Sequence, residues 1–313
     1  MEKKDLLKDT IKHIDIKSYD STQLIDAMRD MSFTSRDTAR AADILLKMVK
    51  EKECTNILTI AGSTSAAGCM QVYVDMVRNK MVDVVVATGA SIIDMDLFEA
   101  LGFKHYKGHQ DVPDMQLRDL YIDRIYDTFI DEEELQKCDH TTYEIANSLD
   151  PRPYSSREFI WEIGKWLTKN SVKKESLIQT CYECGVPIFC PAFSDCSAGF
   201  GIGKHQWEHP DKHLSIDSVK DFVELTMIKM NAPTTGLFMI GGGTPKNFAQ
   251  DTVVCAEILG HEVPMHKYAV QITVADVRDG ACSSSTLKEA CSWGKVDVTY
   301  EQMVYAEGTT VIP

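Results

Sequence analysis

VDVVVATGA, residues 82–90, decides the fold class of this 313-residue chain. Its valines and alanine form a nearly unbroken apolar run, closed by Thr-Gly. Such a run reads as a strand buried on both faces, as in a parallel sheet, and not as an alternating strand with one wet face. Working outward, the same kind of run recurs at NILTIAG (56–62), VPIFCPA (186–192), GLFMIGG (236–242) and YAVQITV (268–274). Helical patterns lie between them, at 37–51, 66–80, 156–168, 216–230 and 246–259. The alternation indicates an α/β layered fold with a mainly parallel sheet flanked by helices. Residues 105–155 read as polar and irregular, an excursion from the sheet. No repeat, low-complexity tract or linker divides the chain. The expectation is one domain over 1–313 with an N-terminal helical extension.

The formal charge is −14, from 33 Lys and Arg against 47 Asp and Glu. That balance argues against nucleic acid, which needs basic patches. It is compatible with a cationic substrate, because a negative field concentrates cations. No apolar run is long enough to span a bilayer. The opening MEKKDLLKDT is charged and has no apolar centre, so no signal peptide is expected and the location expected is cytoplasmic. Ten cysteines lie mostly in apolar stretches, where free cysteine acts as a small hydrophobe. Cys181 and Cys184 form a lone CxxC, which reads as two thiols at a helix end. His205, His209 and His213 lie four apart, but Pro210 interrupts the helix that would align them. The expectation there is a solvated loop, and no metal site.

In an open parallel sheet, ligands bind outside the carboxyl ends of the strands. Here those ends read AGSTSAAG, ATGAS, PAFSDCSAGFG, GGGTPKN and TVADVRDGA. All are rich in Gly, Ser, Thr or Asp, and the small residues let backbone N–H groups approach phosphate beside a helix N-terminus. Together they point to a nucleotide site. No GxGxxG follows the first strand and no GxxxxGK[ST] occurs, so an ordinary dinucleotide fingerprint and a P-loop are both disfavoured.

EACSWGKVDV, residues 289–298, carries the sharpest chemistry. It reads as a helix end turning into a strand, with Gly294 as the hinge. Lys295 suits imine chemistry if its amine is desolvated in an apolar pocket walled by Trp293. Trp293 also suits cation–π attraction, and Glu289 suits a substrate ammonium. A surface lysine opening a strand fits the same spacing. Asp195 and Asp279 follow strands, as binding carboxylates or as turn and cap residues. Glu307 is similar.

SWGK (292–295), GGG (241–243), VPIFCPAFSD (186–195) and VDVVVATGA (82–90), in this order and spacing, resemble the deoxyhypusine synthase family. The resemblance runs from about residue 20 to the end. GGGTPKNF and PAFSDCSAGFG look most like its archaeal and bacterial branch. The resemblance implies a Rossmann-like NAD-binding fold and homotetramers with active sites at subunit interfaces. It implies NAD-dependent transfer of the butylamine group of spermidine, through an imine on a lysine, to a lysine of translation initiation factor 5A. That lysine falls on Lys295, the aromatic wall on Trp293 and an amine-holding carboxylate on Glu289. Asp195 and Asp279 fall on acids at the NAD and substrate site. Glu307, next to Ala306, falls on an acid at the adenosine ribose. Ser63, Thr64, Thr88 and Gly89 lie in the first two cofactor loops. The sequence also departs from the family. Asn247 stands where a proton-transfer histidine is expected, and Phe200 and Cys282 stand where further polyamine-binding acids are expected. Fewer carboxylates favour a different amine. The rival is therefore a homospermidine-type or bis-guanidino polyamine synthase acting on free agmatine or putrescine. A non-catalytic NAD-binding homologue is the third reading. Relatives in that family continue past Val311-Ile312-Pro313 into a final helix.

Overall fold

A computed structural model describes residues 2–313. Its eleven strands are β1 (Cys54–Ile60), β2 (Val84–Ala87), β3 (Tyr106–Lys107), β4 (Ile122–Ile125), β5 (Thr128–Asp131), β6 (Pro153–Tyr154), β7 (Ile188–Phe189), β8 (Ser215–Ile216), β9 (Thr234–Ile240), β10 (His266–Thr273) and β11 (Val296–Tyr305). Six of them form the main sheet, in the order β11-β10-β9-β1-β2-β7, every pair parallel. Read from the β7 edge and numbered along the chain, that is third, second, first, fourth, fifth, sixth. This is the doubly wound dinucleotide-binding order, and it reverses between β1 and β9.

Why these segments become strands follows from their burial. Leu58 and Ile60 of β1 face one apolar layer with Val85, Phe238, Ile240 and Val270. Ile57 faces the other layer, with Val84, Val86, Leu237 and Met239. Alternate residues therefore enter alternate cores, and both faces need apolar side chains. Helices Phe33–Lys50, Met70–Arg78 and Ser156–Asn170 pack on the first face; Ser218–Asn231, Gly243–Gln250 and Leu287–Ser292 supply the second. Each buried Leu, Ile or Phe contributes roughly 1.5–3 kcal/mol by leaving water.

Three segments differ from the sequence expectation. VPIFCPA yields only the two-residue β7, because Pro187 and Pro191 bracket it and it sits at the sheet edge. Residues 105–155 are ordered into an antiparallel sheet, β3-β5-β4, and the long helix Glu132–Asn147. Phe129 and Ile130 are too short an apolar run to announce these strands. The helix expected over 246–259 divides into Gly243–Gln250 and Thr252–Ile258, with Asp251 at the junction. The N-terminal segment lies across the body. The Glu99 carboxylate pins it, meeting His13 Nε2 at 2.6 Å while holding His105 Nδ1 at 2.8 Å and Lys173 Nζ at 2.6 Å.

Among the described residues no helix is long and apolar enough to cross a membrane. No cluster of three or more His, Cys, Asp or Glu there suits a metal ion. His205 is not in a solvated loop. It lies in helix Ser197–Glu208, 5% exposed, with Nδ1 on Asn147 Oδ1 at 2.6 Å and Nε2 accepting from the Leu214 N–H at 3.2 Å. Cys181 and Cys184 do lie at the end of helix Leu177–Cys184.

Candidate functional site

The crevice between the carboxyl ends of β1 and β9 is built by chain segments too close for side chains. At Gly241, φ is +69° and an added Cβ would stand 2.8 Å from the Ala61 carbonyl oxygen. At Gly242 it would stand 2.5 Å from Ser283 Cα. Only glycine allows both approaches. Gln271 Nε2 then ties the two walls, donating to the Gly241 and Ser283 carbonyls at 2.9 Å each. The N-terminus of helix Gly243–Gln250 opens here and brings positive dipole to the crevice.

The other loops close on the same rim. Thr88 Oγ1 lies 2.9 Å from Ser91 Oγ, which donates to the Gly62 carbonyl at 3.0 Å, so the loops after β1 and β2 are tied together. Gly89 packs on Cys196, beside the exposed Asp195; an added Cβ would meet the Cys196 sulfur at 2.4 Å. Asp94 accepts from the Ser197 N–H at 2.8 Å and fastens that loop to the next helix, burial raising its carboxyl. Ser63 adjoins Thr64, whose hydroxyl meets the buried Tyr73 hydroxyl at 2.6 Å. Past Ala306, Glu307 caps helix Gly308–Val311 through the Thr309 N–H at 3.0 Å. Gly308 sits so close that an added Cβ would touch Thr64 at 2.9 Å. Asp279 accepts from the Ser284 hydroxyl and from the Ala281 N–H, which together hold its carboxyl below the usual range.

Lys295 belongs to a second group. Helix Leu287–Ser292 ends at Trp293, Gly294 turns left-handed at φ +71°, and Lys295 leads into β11. The hinge expected at Gly294 is therefore present. The lysine side chain is 12% exposed, and its Nζ forms an ion pair with Asp251 Oδ1 at 2.5 Å. Asn247 completes a triangle. Its Nδ2 donates to Asp251 Oδ2 at 2.7 Å, and its Oδ1 stands 3.5 Å from Lys295 Nζ. The Trp293 ring centre is 5.2 Å from the same nitrogen, within cation–π range, while the indole itself is 66% exposed. Beneath them Lys246 is fully buried, its Nζ donating to the Ser285 carbonyl, and burial pushes its amine down to about 8.

Two points differ from the sequence expectation. The wall beside Lys295 is a carboxylate, not an apolar pocket. Asp251 takes the ion pair, while Glu289 stays exposed on its helix, its charge bearing on Lys246. Helical spacing held a signal for Asp251, since it lies four residues after Asn247 and shares its face. The expected residues are also not gathered into one cluster. Lys295 precedes β11 and Glu307 follows it, and a strand of ten residues spans about 33 Å. Thr64, Thr88, Gly89, Asp195, Asp279 and Glu307 line the rim; Asn247, Trp293 and Lys295 lie lower on one face. Helix Gly243–Gln250 connects the two, starting in the crevice and ending beside the lysine.

The family model described as deoxyhypusine synthase matches residues 23–313. A deoxyhypusine synthase-like protein of Caulobacter vibrioides is 69% identical over 316 residues, covering 100% of this chain and 86% of the relative. One from Coxiella burnetii is 67% identical over 312 residues, covering 99% and 89%. The "Probable deoxyhypusine synthase 2" of Methanosarcina mazei is 37% identical over 301 residues, covering 96% and 86%. The crystal structure of a "putative deoxyhypusine synthase" from Entamoeba histolytica shares the fold with a TM-score of 0.63 at 19% identity, over 97% of this chain and 94% of that one. With the family model spanning nearly the whole chain and close relatives matching end to end, this chain belongs to the deoxyhypusine synthase family.

Proposed function

We propose that the chain transfers the butylamine group of spermidine, in an NAD-dependent reaction through an imine on Lys295, to a lysine of translation initiation factor 5A. The observation that carries this reading is Lys295 itself, a screened amine on a carboxylate, at the foot of the helix that opens in the dinucleotide crevice. The residues present fit NAD. The bare backbone at Gly241 and Gly242 leaves room for a pyrophosphate, Glu307 beside Ala306 suits a ribose, and Ser63, Thr64, Thr88, Gly89, Asp195 and Asp279 ring the rim. Bound there, NAD would supply hydride acceptance from the amine carbon.

The chain's own residues do the rest. Lys295, once neutral, attacks the substrate imine carbon, and the leaving diamine departs as the new imine forms on Nζ. Trp293 offers its exposed face to the cationic chain, and Glu289 offers a carboxylate to an ammonium. Asn247 orients the lysine and its counter-ion. Because the rim and the lysine lie at different heights on one chain, the reading includes a homotetramer in which copies close the site between them.

One observation favours the rival acceptor. Phe200, 67% exposed, and Cys282, also exposed, stand where the family resemblance places polyamine-binding acids. A free agmatine or putrescine would then receive the group. The test is mass spectrometry of one reaction set: protein and NAD with spermidine or agmatine, with and without factor 5A from the source organism. A mass gain on one lysine of the factor, lost in Lys295→Arg, supports the first reading. A new polyamine in the small-molecule fraction supports the rival. Neither product, with NAD still bound, would leave a non-catalytic homologue. Arginine can keep the ion pair to Asp251 but cannot give up a proton to become a nucleophile, so the variant is expected to fold, bind NAD and transfer nothing.

A further inference from the structure

We propose that Asp251 is a docking carboxylate for the cationic amine, occupied at rest by Lys295, and that an incoming ammonium releases Lys295 as the nucleophile by taking its counter-ion. The inference rests on the reading of Lys295 as the imine-forming lysine.

The argument starts from the geometry. Lys295 cannot attack while its nitrogen carries three protons, and at rest that nitrogen is 2.5 Å from a carboxylate oxygen. Asn247 holds the other carboxylate oxygen at 2.7 Å, so Asp251 does not swing with the lysine. The lysine is the screened partner at 12% side-chain exposure, whereas Asp251 is open at 30%. A ligand can therefore reach the carboxylate before it reaches the amine. Beside the pair lies Lys246, from the helix that carries Asn247, and Lys246 in turn feels the charges of Cys282 from the loop after β10, Glu289 from helix Leu287–Ser292 and Lys295 itself. Lys246 adds positive charge and is held by the Ser285 carbonyl. Glu289 is exposed and meets solvent. Asp251 is thus the one carboxylate in contact with Lys295 among the described residues. It also stands in a chain that lacks acids at positions 200 and 282.

The proton balance is simple. A substrate ammonium binds the Asp251 carboxylate and neutralises it. Lys295 then lies beside a second cation with no counter-ion, the arrangement that favours a neutral amine. One proton leaves Nζ for solvent through the open side of the site. The freed lone pair forms the new N–C bond to the carbon of the protonated substrate imine; one proton passes from Nζ to the departing nitrogen as the old C–N bond breaks, leaving a protonated imine on Lys295 and a free amine.

The test uses the NAD-free 313-residue protein and needs no turnover. Brief treatment with acetic anhydride near pH 7.5 is followed by peptide mass spectrometry, with exposed Lys288 as internal standard. In the wild type, Lys295 labelling is expected to be slow and to accelerate several-fold on adding putrescine. In Asp251→Asn it is expected to rise by about tenfold or more without ligand, and putrescine should add nothing. Asp251→Glu keeps the charge and should remain slow, which separates the carboxylate's effect from damage to the fold. Equal labelling in wild type and Asp251→Asn, or slowing by putrescine in the wild type, would overturn the proposal. The reading of Lys295 as nucleophile fails separately, if Lys295→Arg transfers the group as well as the wild type.

Discussion

Lys229 lies inside the fold at 1% exposure, with no carboxylate partner among the described residues. Its Nζ donates to Thr235 Oγ1 at 2.7 Å; that hydroxyl donates to His266 Nδ1 at 2.8 Å, and His266 Nε2 donates to the Ala249 carbonyl at 3.2 Å. This direction requires a neutral imidazole, and burial does push His266 well below its usual range. Burial likewise pushes Lys229 down to about 8, from 10.5 in the open chain. Between those values the unfolded chain binds a proton that the folded chain does not, so this group makes stability rise with pH over that window. Replacing it with an apolar chain of similar length removes the penalty at neutral pH. Lys229→Met is expected to be more stable than wild type at pH 7 by on the order of 2 kcal/mol, the difference closing by about pH 10. Urea denaturation at three pH values measures it, and a gap independent of pH would mean the ammonium is not what strains the core. Single residues differed in how far the sequence betrayed them. Gly294 and Lys295 were legible because a helix pattern meets a strand pattern there. Asp251 carried only the signal of its i, i+4 spacing from Asn247, and an acid on a helix face is usually a solvated one. Lys229 was hidden because nothing local marks a lysine as buried.

At the scale of elements, caps contributed by distant side chains decide where helices begin. Helix Leu177–Cys184 has only eight residues, too few to be stable alone. Its first N–H groups are met from another segment. The two oxygens of Asp96, fully buried, accept from Leu177 N at 2.7 Å and Ile178 N at 2.8 Å. Asp221 does the same for helix Ser156–Asn170, accepting from Ser156 N at 2.9 Å and Arg157 N at 3.2 Å. Burial raises both carboxyls to about 6 despite these bonds. The folded values exceed the open-chain ones, so what stability they add through this shift is present in acid and is lost as pH rises through about 6. Removing Asp96 leaves two buried donors without acceptors, at about 1–3 kcal/mol each. Asp96→Ala is therefore expected to lose about 3 kcal/mol at pH 7, read by denaturant titration. A loss under about 1 kcal/mol would show that Ser176, which accepts from Gln179 N at 3.1 Å, caps the helix by itself. Such long-range caps explain why strand and helix types were readable while several boundaries were not. Apolar periodicity is local, whereas the acceptors for Leu177 and Ile178 come from about eighty residues away.

The whole molecule joins a sheet that reverses direction at one crevice to a surface of strong negative charge. The sheet order could not be read from the strands one by one, although their buried, β-branched character made the parallel sheet itself legible and their Gly-rich carboxyl ends raised the expectation of a ligand there. The charge of −14 has its own consequence. It draws polycations and repels anions through the solvent, over about 30 Å at 0.01 M salt and about 10 Å at 0.1 M. The two ligands of the proposed reaction have opposite signs. Spermidine is a polycation, and NAD carries net negative charge. Raising sodium chloride from about 0.01 to about 0.1 M should weaken spermidine binding several-fold, while NAD binding should hold or tighten, because screening removes attraction from one and repulsion from the other. Isothermal titration of each ligand at several salt concentrations reads both slopes. Parallel slopes would assign the effect to general destabilisation, and a flat spermidine slope would reduce the acidic surface to a solubility role. Opposite slopes would tie the global charge to capture of the amine, with the local carboxylates left to position it.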